Sequence, residues 1–282
     1  MMMDSVFHPI ESKINTRINC NKVAPDSHNN WPDKAVGPFK STKELVKVAE
    51  IKPNDFVLDL ACGTGTVSRE ISHHLGNLGR LVGIDISGVA LFIARRTVQF
   101  QNVDFVEMDA ENIGLHVNFD KIVCQYALMF FPDTNNVLKS IKRIMKKGGK
   151  LAIAVHGTQE GVPYFSSIMK PILQHIPDIR TNGTPTVHRF GNPEDLQKEI
   201  SKAGFSDIQI RKFTFTYDAE SFEEYWTDYI HSTANAIWPK IESHGIKIVN
   251  AIKMDAEKNI LPFIKNGKII FPWDILIATA YN

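Results

Sequence analysis

Cysteine is scarce. Cys20, Cys62 and Cys124 are the only three in 282 residues and none forms a Cys-x-x-Cys pair, so neither a disulfide framework nor a zinc ribbon is written into the chain, and a reducing compartment fits. Long apolar runs are missing as well. No stretch approaches the roughly 18 apolar residues of a membrane span, and the first thirty residues, rich in Asn, Ser and Lys, lack the apolar core of a signal peptide. The expectation is a cytoplasmic protein without stable membrane insertion. Neither sign of charge prevails: 32 Lys and Arg face 31 Asp and Glu, a formal net charge of +1, which gives no global attraction to nucleic acid or an anionic surface. No internal repeat or low-complexity tract appears. His73 and His74 are adjacent on a helix and point apart, so no metal set is indicated.

The chain does have a regular alternation. With 43% hydrophobic residues it can build a sizeable core, and one elaborated domain over 31–282 accommodates it, preceded by a flexible arm over 1–30. Phe56 to Leu60, Leu81 to Ile84, Val103 to Met108, Lys121 to Cys124 and Leu151 to Val155 read as strands. Val67, Ile71 and Leu75 fall at helical spacing, Ser87 can cap a helix, and Val137, Leu138, Ile141 and Ile144 mark another before Gly148-Gly149. Repeated strand–helix units imply a parallel sheet covered on both faces. After His156 the alternation loosens. Residues 161–190 and 218–260 read as helical insertions over the site, Ile208 to Phe215 as an alternating strand, and Lys268-Ile-Ile-Phe271 and Ile275-Leu-Ile-Ala278 as two separate apolar runs.

The chemistry is concentrated in Val57-Leu-Asp-Leu-Ala-Cys-Gly-Thr-Gly-Thr66 and Gly83-Ile-Asp85: a strand, a glycine turn, a helix start and an acidic strand end. Gly63 and Gly65 let a ligand approach the backbone. Asp85, 20 residues beyond Gly65, stands at about the distance where a second-strand carboxylate holds ribose hydroxyls. The dinucleotide fingerprint requires a third glycine where this chain has Ser68, and Asp59 lies inside the first strand. A nearby carboxylate repels a diphosphate and attracts a sulfonium or an ammonium.

These residues resemble the class I S-adenosylmethionine-dependent methyltransferases. The resemblance continues in order through Phe105-Val-Glu-Met-Asp-Ala-Glu111, the stretch from Phe119 to Asp133, and Met145-Lys-Lys-Gly-Gly-Lys150. It covers residues 31 to 215 and is closest to the small-molecule branch that includes quinone C-methyltransferases. It implies an α/β Rossmann-like fold: a seven-stranded, mostly parallel sheet with one antiparallel strand and helices on both faces, residues 31–160 forming the cofactor-binding core. It also implies S-adenosylmethionine as cofactor, S-adenosylhomocysteine as product, and roles for named positions. Asp59 would sit by the methionine part, Gly63 and Gly65 under the cofactor, Asp85 at the ribose, Asp109 and Ala110 at the adenine, and Gln125 after the fourth strand, with Ala61, Thr64, Ile86 and Glu111 as further cofactor-binding positions.

The acceptor side is less defined. His156 ends the fifth strand and is the first candidate for a general base, with Tyr126 second. Trp31, Tyr164, Tyr225 and Trp226 are candidates for a hydrophobic substrate pocket; Phe222, Tyr225, Trp226, Tyr229 and Ile230 form one aromatic helix stripe, the kind that is mostly core. The leading expectation is methyl transfer to a small, apolar or quinone-like acceptor by a monomer or homodimer. A non-catalytic S-adenosylmethionine-binding assembly partner is the alternative. A nucleic-acid or protein methyltransferase using the Lys139 to Lys150 basic cluster is disfavoured, since Gln125-Tyr-Ala-Leu128 stands where amino-group targets call for Asn/Asp-Pro-Pro-Tyr/Phe.

Overall fold

Apolar residues alternate along each central strand, and this parity divides the core in two. Val57, Leu81, Val123 and Ala152 face one side of the sheet, while Leu58, Val82, Ile122 and Ile153 face the other, as the two-residue period of a strand requires. In this computed structural model, which describes residues 7–30, 40–181 and 183–282, the strands are β1 (Phe56–Leu60), β2 (Arg80–Asp85), β3 (Val103–Glu107), β4 (Phe119–Gln125), β5 (Met145–His156), β6 (Ser206–Ala219), β7 (Ile264–Lys265) and β8 (Lys268–Tyr281). Their order is β3-β2-β1-β4-β5-β8-β6, with the two-residue β7 pairing with β8. β1 to β5 are mutually parallel, and β8 runs antiparallel to both β5 and β6. The chain reverses direction across the sheet between β1 and β4, and in open α/β sheets the crevice at the strands' carboxyl ends beside such a point is where ligands bind.

Helices cover both faces. α2 (Lys40–Ala49), α3 (Thr66–Ser72), α6 (Pro163–His175), α8 (Phe222–Ser232), α9 (Trp238–Glu242) and α10 (Ile246–Asn259) feed the larger core, and α5 (Thr134–Arg143) and α7 (Pro193–Lys202) close the opposite one. α4 (Gly88–Thr97) buries Leu91 and Ala94 against Phe105 and Cys62. The sequence-predicted cap forms: Ser87 accepts from Ala90 N–H at the start of α4, satisfying one of the donors a helix start leaves open.

Three elements differ from the sequence reading. Residues Pro9–Asn30, expected within a flexible arm, form one 22-residue helix, α1. It carries little apolar periodicity; its order comes from polar contacts with the sheet's carboxyl edge, which sequence periodicity does not register. β5 begins six residues before the predicted Leu151, because Met145 pairs with Phe119 ahead of a register shift. The two terminal apolar runs are one 14-residue strand, β8, continuous through Pro272. The proline's missing N–H is tolerated because β5 pairs only as far as Ile275, so at Pro272 that edge of β8 has no β5 neighbour.

The turn after β1 depends on Gly65, whose φ is +87° and whose absent Cβ would lie 2.8 Å from Val98 Cγ2 and 3.2 Å from Ala94 Cβ. Gly65→Ala is expected to lower unfolding free energy by about 1–3 kcal/mol, combining left-handed strain with overpacking. Urea denaturation measures it.

Candidate functional site

The end of β1 is bent into a cradle by alternating backbone conformations. Ala61 has φ 56° and Gly63 φ 54°; the first is unusual for a residue with a Cβ and is held by its surroundings. Cys62 N–H donates to the Ile84 carbonyl at 3.0 Å, and Gly65 N–H to the Cys62 carbonyl at 3.0 Å. Asp85 completes the fastening: Oδ2 accepts from Gly63 N–H and Oδ1 from Ser87 N–H, each at 2.8 Å. Burial pushes the Asp85 carboxyl up, while the N–H groups of Ser87, Gly63 and Ile86 pull it down. Around Gly63 a Cβ would meet nothing within 4 Å, so this backbone opens onto space.

Beside it, at the carboxyl ends of β1 to β4, lies a cavity of about 370 Å³. Of the residues implied by the resemblance, Ala61, Asp85, Ile86, Asp109, Ala110, Glu111 and Gln125 line it, together with Tyr126. Gly63 reaches it through Asp85. Thr64 and Gly65 lie in the turn behind the wall. Asp59 stands apart: it is 1% exposed, on the α3 side of the sheet, accepting from Ser68 Oγ at 2.6 Å. The residue that breaks the dinucleotide fingerprint thus carries the hydroxyl that satisfies the strand carboxylate. Burial raises the Asp59 carboxyl to about 7, with the Ser68 hydrogen bond opposing the shift and the nearby Asp85 adding to it.

The fourth wall comes from α1, which sequence reasoning missed. Lys13, Thr16, Asn19 and Cys20 line the cavity. Lys13 Nζ bridges Asp109 Oδ2 at 2.8 Å and Glu111 Oε2 at 2.7 Å, Arg17 pairs with Glu107, and Ser87 Oγ donates to Asn21 Oδ1 at 2.7 Å. Burial opposes the Lys13 charge, but its hydrogen bonds to Asp109 and Glu111 leave its pKa raised. The spacing 13, 16, 17, 20, 21 is one helix face. Its residues are polar because what they meet is polar, so no hydrophobic signal marks it. Three carboxylates in the lining, Asp85, Asp109 and Glu111, and a backbone left open at Gly63 suit a positively charged nucleoside and disfavour a diphosphate.

On the other side of Tyr126 lies an aromatic cluster. The Tyr126 ring stacks on His156 with centroids 4.1 Å apart and planes 7° apart. Phe165 and Trp273 meet His156 edge-on at 5.0 and 5.6 Å, and Trp273 Nε1–H donates to His156 Nδ1 at 3.2 Å. Burial drives His156 down to about 3 and pushes Tyr126 up, against a hydrogen bond with Ser41. Both groups, the two expected candidates for a base, are thereby held neutral around pH 7.

Tyr164, Tyr225 and Trp226, expected against substrate, do not line the described cavity. Tyr164 and Tyr225 have no exposure and Trp226 has 6%. Tyr164 and Tyr217 donate to Asp228 Oδ2 at 2.7 and 3.0 Å, and Tyr225 donates to the Tyr164 carbonyl. The stripe is core because every phenol finds an internal acceptor as its ring is buried. Trp31 lies outside the described residues. Among those residues no group of His, Cys, Asp and Glu could hold a metal, and no helix is long and apolar enough to cross a membrane.

Two expected outcomes follow from these contacts. The folded-state pKa of Asp59, about 7, exceeds its usual 3.8, so the folded state binds the extra proton between those values; its contribution is full below about pH 4 and is lost as pH rises through about 7. Asp59→Asn should flatten this decline, read by urea unfolding at several pH values. Lys13→Ala should speed amide exchange in α1 while leaving β1 to β5 unchanged, since a surface pair contributes no more than about 1 kcal/mol.

The chain is 28% identical over 222 residues to a demethylmenaquinone methyltransferase of Staphylococcus saprophyticus, covering 74% of this chain and 90% of that protein. Its fold matches the [4+2]-cyclase SpnF with a TM-score of 0.59 at 17% identity, covering 96% of both chains. Phosphoethanolamine N-methyltransferase 2 of Haemonchus contortus also gives 0.59 at 17% identity, over 98% of this chain and 60% of that one. A methyltransferase-domain family model matches residues 51–205, more than half of the chain and the span that holds the glycine turn, Asp85 and all five parallel strands. The chain therefore belongs to the methyltransferase-domain family, as an enzyme that moves a methyl group from S-adenosylmethionine to a small-molecule acceptor.

Proposed function

We propose that the acceptor is a small, flat, apolar molecule with an ionisable hydroxyl, of the reduced-quinone class. The observation that carries this reading is Tyr126, which lines the cofactor cavity and stacks on His156 with ring centroids 4.1 Å apart, putting an aromatic cluster beside the cavity: aromatic faces favour a planar apolar partner. The demethylmenaquinone methyltransferase relatives support the same class. The basic cluster supports a small acceptor over a polymer, because several of its cations are engaged internally: Lys142 with the Gly204 carbonyl, Lys146 with Asp120, Lys150 with Glu50. We read the protein as cytoplasmic, a monomer or homodimer.

In this reading Asp85 and Ile86 hold the ribose, Asp109, Ala110 and Glu111 the adenine edge, and Ala61, Gly63 and Gln125 the amino-acid end. Thr42 donates to Gln125 Oε1 at 3.0 Å, which fixes the orientation of that amide beside the cavity. Asp59, Thr64 and Gly65 set the shape of the cradle from behind. S-adenosylmethionine supplies an electrophilic methyl on a sulfonium. The residues align the acceptor against it, and the wall that α1 adds reduces contact with water, which otherwise favours the charged ground state over the charge-dispersed transition state.

Labelled S-adenosylmethionine and anaerobically reduced 1,4-dihydroxynaphthalene test the acceptor class: label should enter the solvent-extractable product, and its absence with cofactor bound would reject the class. Asp85→Ala should weaken S-adenosylhomocysteine binding by about 1–3 kcal/mol through lost charge-assisted hydrogen bonds. Calorimetric titration showing unchanged affinity would remove Asp85 from the site.

A further inference from the structure

The carboxyl end of β5 holds two histidines, and their hydrogen-bond partners lock them in opposite tautomers. At His156 the partner of Nδ1 is the Trp273 indole N–H, at 3.2 Å. An indole nitrogen donates only, so Nδ1 must be the lone-pair nitrogen and the proton of the neutral ring sits on Nε2. At His188 the partner of Nδ1 is the Gly157 carbonyl, at 2.7 Å. A carbonyl accepts only, so Nδ1 carries the proton and Nε2 holds the lone pair.

The two rings flank Phe165, whose centroid is 5.0 Å from that of His156 and 5.8 Å from that of His188. The His188 loop is held down on the strand end: Gly191 is so close to Gly157 that a Cβ would lie 2.6 Å from the Gly157 carbonyl. Aromatic contact therefore runs from Tyr126 at the cofactor cavity through His156 and Phe165 to His188. His156 is sealed at 7% exposure, whereas His188 is only half-buried and lies at the strand end where ligands of such sheets gather.

We propose that His188, through Nε2, accepts the proton of the methyl acceptor. His156 cannot do so with its Nε2 protonated; it serves as a positioning residue that holds Tyr126 and Phe165. The inference rests on the reading that the acceptor carries an ionisable hydroxyl. The hydroxyl gives its proton to Nε2 and keeps the O–H electron pair. The resulting anion uses a pair to bond the methyl carbon, through its oxygen or through a ring carbon that then gives up its hydrogen as a proton to water, while the carbon–sulfur bond breaks and its own electron pair stays on sulfur. The positive charge moves to the imidazolium, which returns the proton to water. Burial lowers the His188 pKa from its usual 6.5 and Lys170 lowers it further, against the Gly157 hydrogen bond and the Glu160 carboxylate, which raise it. His156, the other titratable group beside it, is neutral. His188 is thus an unprotonated acceptor at neutral pH.

His188→Asn is the informative variant, because its amide N–H can keep the bond to the Gly157 carbonyl while Nε2 is deleted. Its kcat on reduced 1,4-dihydroxynaphthalene should fall about 10²–10⁴-fold, with S-adenosylhomocysteine affinity unchanged. The wild-type acid limb, where activity is lost as pH falls through a value below 6.5, should disappear. His156→Asn should keep that limb. Nitrogen-15 imidazole spectra of the S-adenosylhomocysteine complex read the tautomers without turnover: Nδ1–H at His188 and Nε2–H at His156 are expected. Near-wild-type kcat with the limb intact in His188→Asn, or a proton on Nε2 of His188, overturns the proposal. If the wild type binds S-adenosylhomocysteine but methylates no phenolic probe, the acceptor class fails, and the role assigned to His188 falls with it even where the spectrum shows the expected tautomer.

Discussion

Much of the site hangs on one carboxylate. Asp85 spends one oxygen on the Gly63 N–H and the other on the Ser87 N–H, joining the turn after β1 to the start of α4 at the end of β2. Three elements are thereby fixed relative to one another by a charged acceptor in a partly dry environment, where such bonds are strong. The burial that raises its pKa also places it against the cavity, so the group that builds the cradle is the group that faces a ligand.

Charge shapes the rest of the pocket. Asp109 and Glu111 follow β3 and would repel each other unaided; Lys13 from the first helix sits between them. The sheet supplies acid at its carboxyl edge, and α1 supplies the matching cations across the opening. The same complementarity explains why a helix with little hydrophobic character packs there at all: its inner face meets carboxylates and a hydroxyl at Lys13, Arg17 and Asn21.

The acceptor side obeys a different constraint. There the rings of Tyr126, His156, Phe165 and Trp273 are close-packed, and a donor-only indole and an acceptor-only carbonyl decide where the histidine protons lie. Two residues of the same type, flanking one phenylalanine, are left with opposite hydrogen-bonding capacity by their partners.

Much of this protein is legible in the chain itself. The alternation of strands and helices, the glycine turn, the Asp85 strand end and the acidic residues after β3 follow from local periodicity and short spacings, because the parallel sheet repeats a local unit and brings its strand ends to one edge. That one strand runs antiparallel was legible only through resemblance; β8 unites two apolar runs because its partners β6 and β5, at least 50 residues away along the chain, demand it. The α1 cap, the withdrawal of Asp59 to Ser68, the burial of Tyr164, Tyr225 and Trp226, and the contrast between His156 and His188 were decided by tertiary structure. Each depends on which donor or acceptor from a distant segment meets a given atom, and composition and periodicity carry no record of that pairing.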